Sequence, residues 1–286
     1  MHKSSSPLDL TAIPYSQRQL VVVQADEVVA AMRESRSNGS TIASSDLAKV
    51  VKAGSLLIGG ITVWVGAAAV LAKEAYDAWV KARDSGLNVM QISNTEASQL
   101  SFPPGHPRPG TLYVAHPATS TVYYTTAMFH RMAFEHKFTE AVELLMSLGA
   151  SHIEVEHVHG WSREFSATMA TLVPTVSAEA SASSNTARSS SLLFKADFDN
   201  DHEPSVPSDL AWYAHEPTWR SIAHGRLKYG MKEFSLGVSY QDDYGVNAGL
   251  KLKAEKAGLD MGGAFEDHLR TTWTISGSFN ECKGKP

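Results

Sequence analysis

The densest group of side chains that could hold a metal ion lies between positions 157 and 164. His157 and His159 are separated by one residue, so on a strand both imidazoles project to the same face, and Glu164 follows shortly after. Two imidazoles and a carboxylate are ligands that zinc, iron and manganese accept in proteins. The segment therefore defines a candidate divalent-metal site, and a soluble metal-dependent enzyme is one hypothesis for the chain.

The stretch from His157 to Glu164 resembles part of the cupin metal motif, but the flanking glycines and the second half with its last histidine are missing. An exposed strand whose polar side chains face water is the alternative. The chain also has no G-x-S-x-G elbow and no P-loop. We therefore expect no bound cofactor, leave enzymatic activity open and favour a non-enzymatic function.

Three further histidines, His116, His130 and His136, do not stand at metal-ligand spacings. Histidines in such positions satisfy hydrogen bonds inside a fold more often than they bind metals. We expect these three to be structural.

The composition indicates a folded protein and excludes several classes of function. Of the 286 residues, 43% are hydrophobic and 19% are charged, which is too apolar for a disordered chain. The formal net charge of -5 gives no chain-wide basic footprint, so we expect no nucleic-acid partner. A single cysteine, Cys282, excludes an intramolecular disulfide, and the first residues lack the apolar stretch of a cleaved secretory signal.

An uncharged run of twenty residues covers positions 53–72, between Lys52 and Lys73. A helix of about 20 residues spans roughly 30 Å, which is the hydrocarbon thickness of a bilayer. Capping residues upstream and Ser85-Gly86 downstream predict one long helix over about 46–84. The run is thus interpreted as a membrane-inserted helix, and a buried helix of a soluble bundle is the alternative.

Small residues within this run predict a close helix contact. Four glycines in a helix exposed to water would each cost about 1 kcal/mol relative to alanine, whereas in lipid they allow neighbouring helices to approach. The predicted membrane and oligomer face consists of Gly54, Gly59, Gly60, Trp64 and Gly66. We therefore expect a bilayer and further copies of this chain as partners. Basic residues flank the run almost equally, so the orientation is undetermined.

The proline-rich segment 101–111 predicts a boundary between two regions of different pattern. Residues 1–100 form a helical, membrane-inserting region, in which apolar spacing over 16–39 predicts a helix, although three consecutive valines could instead start a strand. Residues 101–286 form a soluble domain that we expect in the cytoplasm. The predicted class is α+β: an amino-terminal helical region with one long apolar helix, then a mixed α/β and antiparallel β-meander domain.

The elements of the second region follow from changes of period. Short strands are expected at 112–117 and 120–125, a helix at 127–149, a further strand from 151 and one or two helices over 207–230. Alternation of apolar and polar residues then predicts an antiparallel meander of three strands. Its strands are expected at 233–240, 246–252 and 273–279.

The serine-rich segment 177–191 has two interpretations. Its composition is typical of a flexible connector or an ordinary surface hairpin. Its small apolar residues also alternate with polar ones, which would suit a hairpin that inserts into lipid. The residues of this possible membrane hairpin are Val176, Ala178, Ala180 and Ala182.

Together these patterns favour a membrane-associated, non-enzymatic protein that oligomerises and permeabilises or disrupts a lipid bilayer, in the manner of a toxin or a defence effector. The metal-dependent enzyme described above is one alternative. A membrane-tethered module that binds a ligand is another.

Overall fold

The computed structural model of the chain describes residues 9–37, 74, 76–161, 192–199 and 202–280. They form an α+β fold with two four-stranded sheets, which confirms the predicted class.

The chain divides into two compact units. The first combines Met1–Phe129 with Tyr244–Asp267, and the second combines His130–Asp243 with His268–Pro286. The domain limits expected from the sequence, 1–100 and 101–286, stay a prediction.

The first sheet lies in the first unit and has the strand order β2-β1-β3-β4. Its strands are β1 (Leu20–Gln24), β2 (Val89–Ser93), β3 (Leu112–Ala115) and β4 (Tyr123–Thr125). β1 pairs in parallel with β2, and the other two pairs are antiparallel. The two short strands expected between 112 and 125 are thus confirmed.

The central strand β1 corrects the prediction of one helix over 16–39 and confirms the alternative that the three consecutive valines belong to a strand. A short helix, α1 (Tyr15–Arg18), ends before β1, and α2 (Asp26–Ser37) begins after it. All residues of β1 are buried. A strand covered on both faces is apolar throughout, so it has no alternating period that would separate it from a helix in the sequence.

Residues 76–84 form helix α3. This helix contacts β2 through the Trp79 indole N–H, which donates to the Val89 carbonyl over 3.0 Å. The predicted helix end at Ser85-Gly86 is confirmed. The rest of the expected long helix, including the run 53–72, lies outside the described residues. Among the described residues, no helix has both the length and the apolarity that crossing a bilayer requires.

A short helix, α4 (Asn94–Ala97), follows β2 directly. Ser93 and Glu96 form a capping box, and the Glu96 carboxylate also receives the guanidinium of Arg33 at 2.7 Å. This ion pair links α2 to α4, directly after β2.

The prediction of a middle meander strand at 246–252 is wrong. Residues Ala248–Ala257 form a helix, α7, in the first unit. The Asn247 side chain caps it by accepting from the amides of Gly249 and Leu250, and Gly258 ends it with φ of 79°. The buried residues Leu250, Ala254 and Ala257 follow helical spacing.

The second sheet lies in the second unit, has the order β6-β5-β8-β7 and is antiparallel throughout. Its strands are β5 (Ala150–His159), β6 (Leu192–Asp197), β7 (Glu233–Tyr240) and β8 (Thr271–Phe279). The outer strands predicted for the meander, at 233–240 and 273–279, are confirmed as neighbours. Burial alternates along β7 and over most of β8, so the sheet has one apolar face and one polar face.

Two helices supply apolar side chains to the core of the second unit: α5 (Phe129–Ser147) and α6 (Pro217–Tyr229). Phe134 and Phe138 of α5 both meet the indole of Trp273 with ring centroids 5.0 Å apart. On α6, Trp219 is fully buried. These helices confirm the predictions at 127–149 and 207–230.

Candidate functional site

The predicted metal ligands are only partly within the described residues. His157 and His159 lie at the carboxyl end of β5, where the pairing with β8 shifts register, and His157 Nε2 is 3.3 Å from the Gly160 carbonyl oxygen. Glu164 lies outside the described residues. Within the described ranges, no group of three or more histidine, cysteine, aspartate or glutamate residues is arranged so that it could hold a metal ion. The metal site therefore stays a prediction.

The predicted membrane residues all lie outside the described residues: Gly54, Gly59, Gly60, Trp64 and Gly66 of the apolar run, and Val176, Ala178, Ala180 and Ala182 of the serine-rich segment. The strands on either side of the serine-rich segment are described. β5 precedes it, β6 follows it, and the two pair antiparallel with Glu156 opposite Leu192.

The structural histidines behave as expected. His116 is fully buried and its Nδ1 accepts from the amide of Ala118, and His136 Nε2 contacts the Glu140 carboxylate at 2.9 Å. His130 is fully buried and shares a 3.0 Å hydrogen bond with the Tyr240 hydroxyl.

A polar cavity of about 440 Å³ opens on the second unit and is the candidate site that the sequence did not indicate. It lies where β7 ends and just before β8 begins, so loop residues supply its polar groups. Its lining residues are Gln241, Asp242, Asp243, His268 and Arg270. The residues that line this open space thus carry two carboxylates, a guanidinium, an imidazole and an amide, which suits a small ligand that carries both signs of charge.

The His268 imidazole connects this cavity to the core. Its ring centroid lies 5.1 Å from that of His130 and 5.6 Å from that of Tyr240. The next aromatic rings are Trp161, 6.1 Å from Tyr240, and Phe134, 5.4 Å from Trp161. His268 is thus the one lining residue that also belongs to this cluster of packed rings.

A second polar cluster occupies the open face of the sheet at β5 and β6. His152 contacts Asp197 at 2.6 Å and Glu154 at 3.2 Å, and Lys195 contacts Glu154 at 2.8 Å. Hydrogen bonds from Lys195 and then His152 hold the pKa of Glu154 below its ordinary value. The cluster is an exposed ladder of alternating charges, which lends modest stability to the strand pair.

Two buried charges of α5 have structural roles. The Glu140 carboxylate accepts from the amides of Ala211 and Trp212 at 2.9 and 2.8 Å. Lys137 donates to the Ser239 carbonyl at 2.7 Å and contacts Glu216. Because these partners satisfy both groups, the pair fixes the loop before α6 and edge strand β7 rather than forming a reactive site.

Comparisons with protein families, with curated proteins and with solved structures found no match for this chain.

Proposed function

We propose that the protein associates with a lipid bilayer, oligomerises there and permeabilises it, as toxin-like or defence-effector proteins do. The observation that carries this proposal is the run 53–72, twenty residues without one charge and with four glycines. A run of this length matches the hydrocarbon thickness, and its glycines suit helix contacts in lipid. In this proposal the α+β part stays in water on the cytoplasmic side.

The pairing of β5 with β6 adds support for a second membrane element. These two antiparallel neighbours flank the alternating residues at 176–182, because β5 lies before them in the chain and β6 lies after them. A hairpin that extends an existing strand pair needs no new sheet, because both arms continue an established register. The serine-rich segment is therefore a suitable extension of the sheet into lipid.

The test is flotation and dye release with anionic vesicles of phosphatidylglycerol and phosphatidylcholine. We expect the protein to float with the vesicles and release dye, and we expect Ile61→Lys to abolish most of both. A lysine at the centre of a membrane helix costs about 3 kcal/mol on insertion scales. Gly60→Leu should keep flotation but reduce release, because the larger side chain blocks close helix contact.

The matched control is Leu227→Lys, which adds the same charge at a residue of α6 that is 46% exposed. It should leave flotation and release unchanged. A protein that stays with the soluble fraction and leaks no dye would overturn the proposal, and so would equal losses for Ile61→Lys and Leu227→Lys.

A second candidate function is a membrane-tethered ligand-binding module, which the polar cavity favours. The Arg270 guanidinium suits a carboxylate, and Asp242 and Asp243 suit an amine, so the best match is a zwitterion such as a free amino acid. Calorimetric titration with the common amino acids should show binding that Arg270→Gln weakens about tenfold, which corresponds to about 1.4 kcal/mol. Arg220→Gln, on the exposed side of α6, is the control, and no measurable heat at millimolar ligand would contradict this candidate.

A further inference from the structure

The second sheet ends in two strands that have no neighbour on their outer edge among the described residues: β6 on one side and β7 on the other. Beyond its ladder with β8, the backbone of residues 233–239 has one further hydrogen bond in the described part of the chain, from Lys137 to the Ser239 carbonyl. The backbone of β6 likewise hydrogen-bonds to β5 alone within those limits.

The strand β7 has few of the features by which sheets protect an open edge, namely the exposed charge of Glu233 and the contact of Lys137 with the Ser239 carbonyl, whereas β6 carries Lys195 and a register shift in its pairing with β5. Such edges normally carry a proline, a lysine or a bulge, or are very short. Residues Glu233–Tyr240 contain neither proline nor lysine, and their pairing with β8 runs without a register shift over the whole strand. An eight-residue regular edge of this kind is a template for a further strand.

The directions of the two edges are compatible with each other. β6 and β8 both run opposite to β5, and β7 runs opposite to β8, so β6 and β7 are antiparallel to one another. If β7 of one copy lies beside β6 of the next, the antiparallel alternation continues without a break. Such a contact uses different surfaces on the two copies, and repetition of it closes into a ring when the rotation allows.

The charges favour one register for this contact. Glu233 and Lys195 are both exposed and both lie on the polar face of the sheet, because each pairs across the strands with residues of that face. Placing Glu233 opposite Lys195 joins opposite charges and keeps apolar positions on one side. A shift by two residues would put Glu233 opposite Asp197, which is unfavourable because like charges then face each other.

We infer that β7 of one copy pairs antiparallel with β6 of a second copy, with Glu233 opposite Lys195, to extend the second sheet from protomer to protomer. This inference rests on the proposed function in that it names, in addition to the glycine face of the run 53–72, a second surface through which copies assemble on a bilayer.

The test uses cysteine variants of the full chain in a Cys282→Ser background, with and without the vesicles described above. Glu233→Cys and Lys195→Cys replace exposed side chains, so both proteins should fold. Neither single variant should cross-link with itself on mild oxidation, whereas a mixture of the two should give a disulfide-linked dimer. The double variant should give a ladder of dimers, trimers and larger species.

The control pair is Leu227→Cys mixed with Lys195→Cys, which should give no dimer. Self-linkage of Glu233→Cys equal to that of the mixture would overturn the inference in favour of a two-fold contact, and a mixture without a dimer would overturn it directly. Dye release is followed in the same samples. A ladder of cross-linked species without dye release contradicts permeabilisation but supports the strand pairing. Dye release without such a ladder supports permeabilisation but contradicts the strand pairing.

Discussion

Arg226→Met is expected to lower the free energy of unfolding by about 4 kcal/mol, because it leaves three carbonyl groups without their donor. The Arg226 side chain is 4% exposed. It donates to the carbonyls of Leu148, Met231 and Asn280 over 3.0, 3.1 and 2.7 Å, respectively. One guanidinium thus joins the end of α5, the turn after α6 and the residue that follows β8.

Urea unfolding of purified protein measures this effect. Arg226→Lys should lose about half as much, since an ammonium group reaches fewer of these acceptors than a planar guanidinium does. Arg220→Met, at an exposed position of the same helix, should change stability by less than about 0.5 kcal/mol. If Arg226→Met unfolds at the same urea concentration as Arg220→Met, the three hydrogen bonds do not contribute as described.

Among substitutions that add a single methyl group to the second sheet, Gly277→Ala is expected to be the most damaging. It should lower the free energy of unfolding by about 3 kcal/mol or prevent folding. A Cβ on Gly277 would overlap the backbone carbonyl oxygen of His152 and lie 2.8 Å from Cζ of Phe234. Because the first of these atoms belongs to the backbone of β5, the clash is relieved only by moving one central strand against the other.

The matched control is Gly237→Ala in neighbouring strand β7, where a Cβ meets nothing within 4 Å. This substitution should change stability by less than about 0.5 kcal/mol. Thermal unfolding followed by circular dichroism compares the two proteins directly. Similar midpoints for both variants would contradict the close approach of β5 and β8.

The sequence predicted elements best where one face is buried and the other is in water. Along β7, Phe234, Leu236, Val238 and Tyr240 alternate with polar residues, and the structure buries these four. It favoured a helix at β1 and kept the strand only as an alternative, because a strand covered on both faces has no period. It failed at α7, where apolar Leu252 is 55% exposed and the helix is defined by its caps, Asn247 and Gly258.

The candidate cavity could not be predicted because its residues come together only through long-range pairing. Asp242 and Arg270 are 28 positions apart in the chain, and neither stands in a motif. Their proximity depends on β7 and β8 being neighbours although the segment between them belongs to the first unit. The prediction that His130 is structural rested on its spacing from the other histidines, which does not fit a metal site. The hydrogen bond between His130 and the Tyr240 hydroxyl agrees with that prediction.

The position of β8 between β5 and β7 has a consequence for synthesis on the ribosome. Until residues 271–279 emerge, β7 has no partner strand among the described elements, and the apolar face that it shares with β5 is incomplete. Nascent chains that expose such a surface are prone to wrong associations, and contacts between distant positions form slowly. The second sheet is therefore completed only after residues 271–279 have been synthesised, whereas the β5 and β6 pair can form earlier.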